Sequence, residues 1–194
     1  MVSEAAVAAE NWSDVVFLDD DPASPLVVGC SVVGGLEQLS NFADDESEII
    51  VAIGDNRTRL SLCNEIEAKG MRLAIVIHPS AVISPTASIS RGSVVCAGAI
   101  VSARTNLGRG CIVNTGATVD HDCFIEDGVH ISPGANLAGS VSVGECAWIG
   151  IGSALRDGVV VGRDVMVGAG SAVVSDISDG ETVVGVPARG LVST

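Results

Sequence analysis

Of the three histidines in the 194-residue chain, His121 has the strongest chemical setting, because Asp120 and Asp122 flank it on both sides. An imidazole of ordinary pKa, about 6.5, accepts a proton near neutrality, and a neighbouring carboxylate fixes its tautomer and stabilises the imidazolium that forms. That combination makes a general base, whereas a lone surface histidine is usually inert. Sequence carries no side-chain direction, so either aspartate could orient the ring; Asp122 is the preferred choice and Asp120 the alternative. His130 stands immediately before Ile131, and its plain reading is a rim residue stacking on Trp148. Asp19 and Asp20 close a strand-like run, where carboxylates of parallel sheets accept hydrogen bonds from a ribose or base. The run Asp19-Asp20-Asp21-Pro22 also reads as a turn. Gly54 closes another run ahead of a helix, with Asn56 as its candidate N-cap. His78, beside Pro79, reads as structural.

Two kinds of sequence must position these residues, and they meet near His78-Pro79. Before that junction, Val2, Ala5, Ala6 and Ala9 fall at amphipathic-helix spacing, followed by strand-like runs Val15–Leu18, Ile49–Ile53 and Leu73–Ile77. A helix from about Arg57 to Lys69, closed by Gly70, separates the last two runs, so residues 1–78 predict a small parallel α/β sheet. After the junction every sixth residue from Ile83 to Val173 is Val, Ile or Leu, and the residue two places earlier, from Ala81 to Ser171, is small or β-branched. Such a period predicts a β-helical prism over residues 79–194, with aliphatic side chains inside and glycine-rich turns at the corners.

Composition narrows the partners. Ten Lys plus Arg against 24 Asp plus Glu leave a net charge of −14, which repels a nucleic-acid backbone, and 3% aromatic residues with no Tyr offer few stacking platforms. The longest aliphatic runs fall far short of the roughly 18 to 20 residues that span a bilayer. Met1-Val2-Ser3-Glu4 lacks the basic region of a secretory signal, so no membrane and a cytoplasmic location are expected. The six cysteines form no Cys-x-x-Cys pair and read as reduced packing residues.

The hexads resemble the left-handed β-helix of hexapeptide-repeat acyltransferases, in which three hexads make a coil. Further runs sharpen the likeness: Val16–Asp21, Val51–Asn56, Ile77–Ala81, Asn114–Cys123, Val129–Gly134 and Gly185–Arg189, in that order. Together they resemble bacterial sugar acetyltransferases of the NeuD and PglD type, which join a nucleotide-sugar-binding, Rossmann-like α/β domain to an acetyl-CoA-binding β-helix. The family's first strand and its glycine-rich turn have no counterpart, since the chain begins inside the helix that follows. The resemblance therefore implies either a late start or an impaired nucleotide-sugar site.

The resemblance also implies a homotrimer with active sites in the clefts between neighbouring prisms, His121 as base and Asp122 as its partner. No acyl-enzyme is expected, and no metal. Acetyl-CoA is expected along an 18-residue column of Pro133, Ile151, Ala169 and Pro187. By the resemblance, His130, Ile151 and Ala169 are carried over as contacts, with Gly152 as an N–H donor to the thioester oxygen and Arg189 for a CoA phosphate. Asp19, Asp20 and Gly54 would meet the nucleotide sugar. The acceptor is expected to be the amine of a UDP-4-amino-sugar, with O-acetylation of sialic acid or a related sugar as the alternative and a noncatalytic scaffold as a third reading. A zinc hydratase on the same fold needs three converging histidines. His78, outside the repeat, and His121 and His130, on different faces, disfavour it.

Overall fold

In the computed structural model, residues 1–21, 30–44 and 46–191 are described. Pro22 of the aspartate turn lies outside them. Helix α1 (Val2–Ala9) buries Ala5 and Ala6, the small face its spacing predicts. Strand β1 (Val16–Leu18) pairs in parallel with β2 (Ser31–Gly34), and a 3-10 helix covers Leu36–Phe42. Helix α2 (Asn56–Ala68) ends at Lys69, and Gly70 follows with φ +77°, the left-handed closure that glycine adopts readily.

Two expected strands are corrected. Of the run Ile49–Ile53, only Ile49 makes a ladder contact, a parallel bridge to Leu73, and residues 50–53 have no strand partner among the described residues. A strand needs a neighbour, and here β1 and β2 pair only with each other. The run Leu73–Ile77 divides its duties. Leu73 faces Ile49, while Val76–Ile77 pairs with Val94–Val95 and so already belongs to the prism.

The rest is a left-handed parallel β-helix of two-residue strands stacked 18 residues apart. Its first face runs from Val76–Ile77 through His130–Ile131 and Trp148–Ile149 to the strand Thr182–Val184 and an antiparallel return at Arg189–Gly190. The second face carries Thr118–Val119 and Asn136–Leu137, the third Asn106–Leu107 and Phe124–Ile125. The hexad aliphatics from Val95 to Val173 are at most 3% exposed. Each contributes about 1.5 to 3 kcal/mol over an exposed side chain. Ile83 and Ile89 are only half-buried, because no coil stacks beyond the first turn.

The α/β region docks on the edge between the third and first faces. A side chain at Gly110 or Gly128 would meet Leu60 or Cys63 of α2, and both glycines hold left-handed φ, so close approach and turn shape require the same residue. Arg59 locks the joint. It is fully buried and donates from Nε to Gly110 O (2.7 Å), from Nη1 to Ile53 O and Gly54 O (3.0 Å each), and from Nη2 to Gly128 O (2.8 Å) and Asn56 Oδ1 (2.7 Å). Among the described residues no carboxylate pairs with it there. Burial pulls its pKa down, and the ring of acceptors compensates the guanidinium. All six cysteines are free; burial raises the thiol of Cys111 to about 12, as expected of a packing residue.

Candidate active site

His121 sits on the edge between the second and third faces, in the turn joining Thr118–Val119 to Phe124–Ile125. Its ring is 54% exposed, and its Nδ1 lies 2.8 Å from Oδ2 of Asp122. Asp120 instead accepts the backbone N–H of His121 at 2.7 Å, so the geometry selects Asp122 as the ring's partner. Arg104, one coil earlier, grips the same carboxylate from Nε to Oδ1 (2.6 Å) and from Nη2 to Oδ2 (2.7 Å). These hydrogen bonds, and next that of His121, hold the Asp122 carboxyl at about 2, below the usual range. An ionised carboxylate only accepts. In the neutral ring, Nδ1 of His121 therefore carries the proton and Nε2 the lone pair.

Pro133, Ile151 and Ala169 lie on another edge, between the first and second faces. Ile151 is 56% exposed, and the glycines beside the column, Gly134, Gly152 and Gly170, have no atom within 4 Å of a would-be side chain, leaving an open shelf. One expected role is corrected. The N–H of Gly152 donates to Pro133 O at 3.0 Å, because the left-handed turn residue always reaches back to the preceding coil, so it cannot face a thioester oxygen. Among the described residues, the N–H groups of Ile151 and Ala169 have no acceptor. Arg189 is exposed, with Nη1 donating to Ala188 O at 2.7 Å.

His130 lies inside the molecule, 6% exposed, tilted against Trp148 at a centroid separation of 4.2 Å. Its Nε2 lies 3.1 Å from Nδ2 of Asn114, and its buried Nδ1 has no partner among the described residues. Burial, followed by the charge of Arg59, pushes this imidazole down to about 4, so it is neutral at physiological pH. Asp19 accepts the N–H of Asp21, and Asp20 accepts that of Leu36 at the start of the 3-10 helix; both carboxylates thus have local work. The expected N-cap Asn56 is corrected. Asp55 caps α2 by accepting from Thr58 N at 2.8 Å, which frees Asn56 to reach the carbonyls of Cys146 and Ala147. Gly54 is open on its side-chain side while Arg59 holds its carbonyl.

Sequence reasoning missed Arg104, Arg59 and Asn114. The first was findable, since 18 residues separate Arg104 from Asp122 and the repeat stacks such positions. Nothing in the sequence marks Arg59 as buried. Among the described residues no group of three His, Cys, Asp or Glu side chains could hold a metal ion, and no helix is long and apolar enough to cross a membrane.

A left-handed hexapeptide prism bearing an imidazole–carboxylate pair on one edge and an open glycine shelf on another defines a β-helical acyltransferase. Comparison with known proteins makes the class specific. The family model for the PglD N-terminal domain matches residues 1–66. The acetyltransferase domain of PglB from Neisseria gonorrhoeae, in complex with acetyl coenzyme A, is 45% identical over 98% of this chain and 92% of that one, with a TM-score of 0.95. A perosamine N-acetyltransferase variant from Caulobacter crescentus, in complex with CoA and GDP-perosamine, is 39% identical over 99% and 91%, with a TM-score of 0.93. WeeI from Acinetobacter baumannii follows at 27% over 91% and 85%, TM-score 0.80. Comparison with curated proteins gives no match. The chain belongs to the NeuD/PglD-type sugar N-acetyltransferases, enzymes that use acetyl-CoA as cosubstrate.

Proposed function

We propose that this protein transfers acetyl from acetyl-CoA to the amino group of a UDP-4-amino-sugar, with His121 as general base, at clefts between the protomers of a homotrimer. The observation that carries the reading is the His121–Asp122 pair on an exposed edge. With Nδ1 donating to the carboxylate, Nε2 takes a proton from the amine as its nitrogen attacks the thioester carbonyl. The resulting imidazolium then gives that proton to the departing CoA thiolate. The nitrogen ends as an amide and the base is restored, so no acyl-enzyme is needed.

The placement of the parts supports sharing between protomers. His121 and the shelf of Ile151, Gly152 and Ala169 occupy two different edges of one prism. Packing the histidine edge of one protomer beside the shelf of its neighbour brings base and thioester together. His130 backs this shelf from inside, Arg189 supplies a cation for a phosphate, and residues 79–194 carry the cosubstrate. In residues 1–78, Asp19, Asp20 and the open turn at Gly54 receive the nucleotide sugar, and Arg59 ties that turn to the prism.

A GDP-linked amino sugar is the second reading, favoured by the 39% identical Caulobacter enzyme, whose structure holds CoA and GDP-perosamine. A panel of UDP- and GDP-linked amino and hydroxy sugars, each incubated with acetyl-CoA while thiol release is followed, tests both. UDP-linked amines are expected to react fastest. Release with GDP-linked amines alone selects the second reading, and release with hydroxy sugars alone overturns amine acetylation. Sedimentation is expected to show a trimer; a fully active monomer would rule out the shared cleft.

A further inference from the structure

The carboxylate that orients His121 does not stand alone. Oδ2 of Asp122 accepts from His121 Nδ1 at 2.8 Å and from Arg104 Nη2 at 2.7 Å, while Oδ1 accepts Arg104 Nε at 2.6 Å. A bidentate guanidinium fixes both the position and the plane of a carboxylate, which a single hydrogen bond cannot. Arg104 and Asp122 adopt φ 58° and 60°, a left-handed conformation that side chains disfavour. The equivalent place on the neighbouring edge is glycine at 98, 116, 134, 152 and 170. Ser140, Cys146 and Asp164 hold the same left-handed φ at other turns of the prism, so what sets Arg104 and Asp122 apart is the bidentate contact between them.

On the following coil, beneath the imidazole, stands Gly139. A Cβ there would lie 2.6 Å from Cε1, 2.8 Å from Nε2 and 3.1 Å from Nδ1 of His121. Gly139 has no left-handed φ, and the three atoms nearest a Cβ there all belong to the imidazole. Gly144 and Gly150 differ, since a side chain at either would strike backbone atoms of the next coil, a purely structural demand.

We infer that Arg104 and Gly139 are positioning residues for acetyl transfer: Arg104 clamps Asp122 against the imidazole from the coil before, and Gly139 is the floor on which the ring lies. This rests on His121 being the base. The charged groups around the ring are Asp120 and Asp122 on its own turn and Arg104 on the preceding coil. Residues 138–140 on the following coil carry no titratable group. Without Arg104 the whole carboxylate charge serves the imidazolium, which favours the protonated, inactive ring, so the acid limb of the rate profile moves to higher pH.

The test uses the full chain with acetyl-CoA and its best nucleotide amino sugar, measuring kcat and KM across pH for Arg104→Met, Arg104→Lys and Gly139→Ala, each also in the His121→Ala background. Arg104→Met is expected to lower kcat about tenfold and to move the acid limb up by roughly half a pH unit. Arg104→Lys should return the limb but only part of kcat, because an ammonium cannot bind in bidentate fashion. Gly139→Ala should lower kcat at least about tenfold with KM for acetyl-CoA little changed. In the His121→Ala background both effects should vanish, the mark of residues that act through the ring. Side-chain nitrogen NMR of His121 gives an independent readout, with one tautomer in the parent protein and a mixture in the variants. Unchanged kcat and pH limb, equal losses with and without His121, or an unaltered tautomer in either variant would overturn the inference while leaving the proposed function standing. A parent protein that acetylates no nucleotide amino sugar, or a His121→Ala protein as fast as the parent, overturns that function and this inference together.

Discussion

Two edges of the same prism obey one backbone rule and use it differently. On the edge between the first and second faces the left-handed turn position is glycine five times in succession, from Gly98 to Gly170, and the surface beside it is smooth and open. On the edge between the second and third faces the same position holds Arg104, Asp122 and Ser140 before returning to Gly158. Holding a side chain in that conformation costs about 1 to 2 kcal/mol per residue. In the proposed function the glycine edge is the shelf for the ligand, and the edge that places Arg104 beside Asp122 is where the proton is moved.

The largest test of that division is His121→Ala. Turnover should fall at least about a hundredfold, the range of a lost general base, while acetyl-CoA affinity measured by calorimetry stays nearly intact. Near-normal turnover would merge the two edges into scaffold. Next comes Asp122→Asn, expected to slow turnover by about ten- to a hundredfold, since an amide can donate to the ring and admit the wrong tautomer. In the parent enzyme Asp122 ionises near 2, so it remains charged through neutral and mildly acid pH. Because this pKa is lowered, the interaction is present above the ordinary carboxylate value and is lost only as pH falls through about 2. The acid limb of activity should therefore follow a single proton, that of the imidazole; a second one in the pH 3 to 5 range of an ordinary carboxylate (roughly) would show that the clamp is absent in solution.

On the other edge, Ile151→Asp should raise KM for acetyl-CoA about tenfold with kcat changed far less, because it removes apolar contact without touching the base. An equal loss in kcat would place Ile151 with the chemistry instead. The smallest effect is expected for Gly152→Ala. A methyl there meets nothing within 4 Å, and the N–H is already bound to Pro133, so only the left-handed φ of 64° is penalised. Melting should drop by a few degrees, about 1 kcal/mol, and KM for acetyl-CoA should rise only about two- to threefold, because the added methyl projects onto the shelf.

How far these features were legible before folding depends on whether they repeat. The inward aliphatics and the turn glycines follow from an interval of six or 18 residues, and the structure bears them out as buried core and left-handed turns; the column at Ile151 and Ala169 follows from the same interval and lies on an open edge. His121 stood out by its flanking acids, yet the choice of Asp122 over Asp120 needed coordinates, since adjacent residues in a tight turn point in directions that spacing does not encode. The α/β region was read less well. Its run Ile49–Ile53 has strand composition but only one ladder contact, and Asn56 has capping chemistry but turns to the prism while Asp55 caps.

The amino-acid order alone determined the prism, its period and the identity of its inward residues, because a repeating pattern specifies each coil through its immediate neighbours. Tertiary structure alone decided that Arg59 is a buried lock, that His130 is enclosed and neutral, and that Arg104, Asp122, His121 and Gly139 from three successive coils converge on one ring. Burial and hydrogen-bond direction depend on which distant segments come to lie against a residue, and that information exists only once the chain has closed upon itself.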